Sequence, residues 1–191
     1  MVLRRRYLLV TMALPAALAA QVARPGAPPT APPPHPPPAS PSYRGFAPGG
    51  AYREFATRAR ALTRQGADPM VCNTSRNTAQ LMECGVVIRD PTDSASFYLS
   101  AYVLEGKVAM ISFGDSGGVQ LVDRLKADLT ARFGRPHAAK NGTWQWNYRG
   151  GGGAQTVRFN WRGRGSARWI FITLWDKRVM DGIARYVGRK P

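Results

Sequence analysis

Carboxylates, histidines and cysteines are all scarce in this chain: 191 residues hold 11 Asp and Glu, 2 His and 2 Cys. A structural zinc site draws four ligands from Cys and His. One histidine, His35, stands in a proline run and only His137 remains elsewhere, so no metal site is expected. Acid–base hydrolysis needs two carboxylates a few ångströms apart with divergent pKa values. Glu83, Glu105, Asp115 and Asp176 are the candidates, and no spacing sets any pair of them into that arrangement. Long apolar runs are missing too. The run from Tyr7 to Leu18 is too short for a hydrocarbon core of about 30 Å, and Pro15 interrupts it. These absences argue against an enzyme, a cofactor and a transmembrane segment.

What is present begins with an export signal. Arg4, Arg5 and Arg6 form a basic start, Tyr7 to Leu18 an apolar stretch, and Ala17-Leu18-Ala19 a small-residue cleavage site. Residues 1–19 are therefore expected to be a signal peptide, cleaved before Ala20, with a periplasmic or secreted product. Arg4-Arg5-Arg6-Tyr7-Leu8 resembles a twin-arginine signal, but the short basic region favours the general secretory route. No cysteine lies near the cleavage site, which excludes lipoprotein processing. Residues 20–48 include Pro32-Pro33-Pro34 and Pro36-Pro37-Pro38 and are expected to be a disordered, proline-rich linker. Cys72 and Cys84 are predicted to form a disulfide, as pairs in oxidising compartments do; redox-active pairs sit closer, two residues apart.

From residue 49 to 191 the pattern predicts one α+β domain. Tyr52, Phe55, Ala59 and Leu62 recur at helical spacing, and so do Leu121, Val122, Leu125, Leu129 and Phe133. Alternating runs predict strands at 82–88, 97–104, 108–113, 143–149, 155–162 and 167–176, with a hairpin turn at Glu105-Gly106 and a short C-terminal helix over 179–187. The fold class is thus α+β: tandem α-β-β-β units forming antiparallel sheet, with the helices packed on one face. Leu121, Leu125, Leu129, Ile170, Ile172 and Leu174 should be buried together. Ile111-Ser112-Phe113-Gly114-Asp115 is echoed by Ile172-Thr173-Leu174-Trp175-Asp176, consistent with an internal repeat of 51–115 in 118–176. A helix, then Gly134-Arg135-Pro136, then Trp146-Asn147-Tyr148 in strand also resembles small periplasmic α/β modules. Examples are the small lipoprotein of the outer-membrane β-barrel assembly machine and the tandem-repeat β-lactamase inhibitor proteins. The resemblance covers Leu129 to Phe159 and carries no functional residue across.

Two motifs invite catalytic readings and fail them. Gly114-Asp115-Ser116-Gly117-Gly118 spells the nucleophile motif of trypsin-like proteases, whose serine needs a histidine base placed earlier in the chain. The one earlier histidine is His35, so the motif is read as a strand-to-helix turn with Asp115 or Ser116 as cap. Gly150 to Gly153 joins two strands, whereas a phosphate loop leads into a helix.

The basic excess is one-sided. Residues 49–131 hold nine basic and nine acidic side chains, while residues 132–191 hold thirteen basic and two acidic. All five tryptophans lie between Trp144 and Trp175. Strand alternation separates Trp144, Trp146, Tyr148, Val157, Phe159, Trp161, Ile170, Ile172 and Leu174 from an opposite face carrying Arg149, Arg158, Arg162, Trp169, Phe171 and Trp175. Guanidinium groups interleaved with aromatics suit anionic polymers through cation–π contact and stacking. The competing reading packs those aromatics beneath a helix or a partner subunit. The expected function is a non-enzymatic exported binding module of a bacterial envelope. Its partner would be an anionic component (lipopolysaccharide, acidic lipid or glycan) or an acidic protein, and no nucleic acid. The alternative is a protein-docking module, an inhibitor or envelope-assembly accessory.

Overall fold

The structure is a computed structural model that describes residues 40–75, 78–150, 153–165 and 167–188. The expected signal peptide, and residues 20–39 of the expected linker, lie outside the described residues. In chain order the elements are α1 (Tyr52–Ala61), β1 (Val71–Ser75), β2 (Thr78–Arg89), β3 (Ser96–Leu104), β4 (Lys107–Gly117), α2 (Val119–Phe133), β5 (Ala138–Lys140), β6 (Thr143–Gly150), β7 (Gly153–Arg164), β8 (Ala167–Asp176) and α3 (Lys177–Gly188). The fold is α+β. Its strands form one eight-stranded sheet in the order β1-β2-β3-β4-β8-β7-β6-β5, every neighbouring pair antiparallel.

α1 and α2 are each followed by four strands, where the sequence predicted three. β1 has no buried residue, and β5 is three fully exposed residues. Neither strand has an apolar face to alternate, so neither leaves a periodic trace. The longer strands do. Phe97, Leu99, Ala101 and Val103 of β3 are buried, as are Ile170, Ile172 and Leu174 of β8. They cluster with Phe55 and Ala59 of α1 and with Val122, Leu129 and Phe133 of α2; α3 buries no side chain. Glu105 and Gly106 both have positive φ (49° and 74°), as a type I′ hairpin turn between twisted strands requires.

Three expectations need correction. Leu121 and Leu125 are only partly buried, because α1 does not reach across the sheet to cover them. The Gly114–Gly118 motif is not a turn. Asp115, Ser116 and Gly117 pair with Ile170, Trp169 and Arg168, which prolongs β4, and Gly118 is the N-cap of α2 without a side-chain cap. Asp176 does cap its helix, its Oδ1 accepting the Val179 amide at 3.2 Å. The third correction concerns the linker, for the folded body starts ahead of Gly49. Tyr43 and Phe46 are each 2% exposed and belong to the core. Their backbones pair with each other across Arg44-Gly45, and both rings meet Phe113 edge-on, at 5.0 and 5.9 Å. Two aromatics among prolines produce no helical or strand period, so composition alone marked them as linker.

Arg44 fastens this clasp to the β2–β3 loop. Its guanidinium donates to Asp90 at 2.6 Å and to Asp93 at 3.0 and 2.8 Å. These bonds from Arg44 pull the Asp93 carboxyl down to about 2. Burial opposes the charge on Asp90, yet the Thr92 amide and Arg44 still hold its pKa below the usual value. Across the first hairpin Cys72 and Cys84 are directly opposed, and they form a disulfide.

Replacing Phe46 by Ala should cost roughly 3–5 kcal/mol in urea unfolding, as core phenylalanines do, with a comparable loss for Tyr43→Ala. Ser42→Ala, at an exposed position between them and the linker, should be near neutral; near-neutral results for all three would restore the linker assignment. A carboxyl depressed in the folded state stabilises above its unfolded pKa of about 3.9 and loses that contribution as pH falls towards the folded value. The thermal midpoint should therefore fall between about pH 4 and pH 2. Asp93→Asn should flatten part of that fall, and an unchanged slope would remove Asp93 as a contributor.

Candidate functional site

α1, α2 and the Tyr43–Phe46 clasp pack into the core on one face of the sheet, and the strand positions of opposite parity form the other, open face, at one end of which Gly182 of α3 lies beside the buried Leu104. Trp169 is 66% exposed, Phe171 39% and Tyr98 54%, and Val71 at the β1 end is 55% exposed. These are four of the six exposed large hydrophobic side chains among the described residues; Val119 and Val187 are on helices. The apolar exposure is therefore concentrated on the uncovered face.

Cross-strand register sets the neighbours on that face. Gln145, Arg158, Thr173, Ser112 and Ser100 form a row from β6 through β7, β8 and β4 to β3. The row two residues along one way holds Asn160, Phe171, Gly114 and Tyr98. Two residues along the other way stand Asn147, Thr156, Trp175, Met110 and Tyr102.

The six residues singled out in the sequence lie on this face but not in one cluster. Arg158 is half-buried, with its guanidinium 4.7 Å from the centre of the Trp175 ring and Nη2 donating to Gln145 Oε1 at 3.1 Å. Its Nε is buried without a hydrogen-bond partner. Arg162 is exposed directly opposite Trp169, the next aromatic beyond Phe171 on this face of β8. Arg149 is exposed too, but it stands near the far end of β6, opposite Ala154 and away from the aromatics. Lys140 of β5, opposite Thr143, and exposed Arg164, two residues beyond Arg162 on β7, bring the cations to five. From β5 to β8 the strand positions of this face carry no carboxylate.

Sequence reasoning missed the contribution of the first half. Tyr98, Ser100 and Tyr102 alternate with Phe97, Leu99, Ala101 and Val103, so the parity was readable, but their place beside Phe171 and Trp175 depends on register. The first half also supplies Glu83, directly opposite Tyr102; burial and then this carboxylate raise the Tyr102 phenol above its usual pKa. A polar network is already assembled on β6 and β7. Gln145 Nε2 donates to Asn147 Oδ1 at 2.8 Å, Thr156 Oγ1 to the same oxygen at 3.4 Å, and Thr143 Oγ1 to Asn160 Oδ1 at 2.9 Å.

The covered face offers a different concavity, a cavity of about 720 Å³ between α1 and α2 with Phe97, Phe113, Leu125 and Ile170 in its walls. Its rim balances Arg44, Arg58, Arg124 and Arg132 against Asp90, Asp93, Asp115 and Asp128, so no sign of charge prevails there. Among the described residues no three His, Cys, Asp or Glu side chains come together as metal ligands, and no helix is long and apolar enough to cross a membrane. Comparison with protein families, with curated proteins and with solved structures finds no match to this chain.

Proposed function

We propose that this chain is an exported, non-enzymatic binding module of a bacterial envelope, periplasmic or secreted, that docks an anionic component through its uncovered sheet face. The observation that carries this reading is the composition of the β5–β8 part of that face. Lys140, Arg149, Arg158 and Arg162 share it with exposed Trp169 and Phe171, and no strand position there is acidic. Such a face has complementary potential for an anion and apolar area for contact. It is a broad sheet surface rather than an enclosed pocket, which suits a polymer or a surface better than a small molecule. Export is supported by the basic-then-apolar start and the small-residue site at 17–19, and the disulfide is in keeping with an oxidising compartment.

We read the two halves as copies of one α-β-β-β-β unit with both long helices on the covered face. Matching the Ile111–Asp115 and Ile172–Asp176 words places Ser112 on Thr173, and those two residues are paired across the central strands. A local two-fold axis would then pass between them. The second reading, a protein-docking module, draws on Val71 and Tyr98, which extend exposed apolar area beyond the basic half.

The test is binding at low ionic strength to lipopolysaccharide, to phosphatidylglycerol vesicles and to polygalacturonate. At least one should bind, and binding should weaken with salt, since exposed charges are screened over about 8 Å at physiological ionic strength. Arg149→Gln with Arg162→Gln should reduce affinity at unchanged thermal midpoint. Trp169→Ala should reduce binding with stability altered by no more than about 0.5 kcal/mol, whereas Trp146→Ala in the core should cost about 3–5 kcal/mol. Failure to bind all three would overturn the anionic reading in favour of protein docking.

A further inference from the structure

We infer that the uncovered face holds a trough for an anionic glycan chain, running across the strands rather than along them. This rests on the reading above and narrows it to one class of ligand. The floor is the row Ser100, Ser112, Thr173, Arg158 and Gln145, small or hydrogen-bonding side chains on five neighbouring strands. Ser112 and Thr173 lie at the centre, their hydroxyl oxygens 3.4 Å apart. One wall is Tyr98 and Phe171 and the other is Tyr102, Met110 and Trp175, each two residues from the floor along its strand. At about 3.4 Å per residue each wall stands roughly 7 Å from the floor line, and five strands at 4.7–4.9 Å spacing give the trough a length of about 19 Å.

A sugar ring presents hydroxyl groups at its rim and C–H groups on its faces. Hydroxyls and amides in a row between aromatic walls match both kinds of group at once. The floor is also held in place before any ligand arrives. Gln145 is bonded to Asn147 and to Arg158, and Arg158 rests on Trp175 with its Nε still unpartnered. Donors fixed in this way lose little conformational freedom on binding. The fixed guanidinium selects for negative charge, and Arg162, one aromatic pair beyond the wall, adds to it. A lipid bilayer fits less well. Inserting this face would place the hydroxyl and amide floor against acyl chains, where unsatisfied polar groups are costly. Glu83 marks the far end, opposite Tyr102, so an anionic chain would be centred on the β4–β7 side.

The probe is a galacturonate hexamer added to the mature full-length protein at low salt and followed by tryptophan fluorescence and calorimetry. It should bind, while the neutral maltohexaose binds at least about tenfold more weakly, a difference of roughly 1.4 kcal/mol. Affinity should rise with oligomer length and level off once the chain spans the five strands. Ser112→Tyr raises a bulky ring in the middle of the floor and should reduce hexamer affinity at least tenfold with binding to phosphatidylglycerol vesicles unchanged. If Ser112→Tyr shifts the thermal midpoint or the near-ultraviolet circular dichroism, Thr173→Tyr and Phe171→Ala replace it with the same expectation. Vesicle binding without hexamer binding, or full hexamer affinity in a folded floor variant, overturns the trough and leaves the anionic face standing. No binding to either probe removes both.

Discussion

The antiparallel pairing of β4 with β8 is the constraint on which the rest of the molecule depends. Each half of the chain makes a meander of four consecutive strands, and each would end on an unpaired edge, β4 in one and β8 in the other. Those edges carry Ile111 and Phe113, and Ile172 and Leu174, all buried. An open edge with apolar side chains invites pairing with other chains. Joining the two edges removes both liabilities and fuses two small cores into one. It also brings Ser112 beside Thr173, 61 residues apart in sequence. Contacts of that separation cost more loop-closure entropy than the hairpin contacts within either meander.

A seam of alternating residues shapes two surfaces at once. Turning Ile111, Phe113, Ile172 and Leu174 to the helices turns Ser112, Gly114, Phe171, Thr173 and Trp175 the other way. α1, α2 and the Tyr43–Phe46 clasp are engaged on the first surface. On the second, Gly182 of α3 lies beside Leu104 at one end, while Tyr98, Trp169 and Phe171 stay exposed. Leaving Trp169 two-thirds exposed forgoes burial worth roughly 2 kcal/mol. Small residues tune the relief. Gly85 leaves room for the Tyr98 ring, since a side chain there would collide with it, and Gly114 lies beside Phe171.

Legibility in the sequence followed the range of the interactions. Alternation separated the buried and open residues of β6, β7 and β8, and the Glu105-Gly106 turn was readable because it is local chemistry. Lost were the elements whose existence rests on partners. β5 is a strand because it pairs with β6, and the end of β4 is a strand because Trp169 and Arg168 continue the ladder. Tyr43 and Phe46 were invisible for the same reason, both being held by Phe113 from a distant part of the chain. At the candidate site, alternation showed which residues face outwards, but register decides that Arg158 rests on Trp175 while Arg149 stands alone. A one-residue slip would exchange the faces outright, so no composition argument could have supplied those rows.

The arginine excess can be weighed by an internal comparison. If the halves are copies, Ser100 occupies in the first the place Arg158 occupies in the second, since each pairs with the central Ser112–Thr173 couple. The first copy builds its helix and four strands with a balanced charge, seven basic against seven acidic residues from 49 to 117. The fold therefore does not require cations at these positions. A general preference for arginine would load both copies alike, yet the second, residues 118 to 176, holds ten basic residues against three acidic. Repulsion among the cations from 118 onward lowers stability slightly and is offset in part by the Lys177–Asp181 pair, by Arg132 over the Tyr43 ring, and by Arg158, which bonds Gln145 and stacks on Trp175. Cations placed where folding does not need them, next to aromatics that folding left exposed, are what the proposed anionic partner would account for.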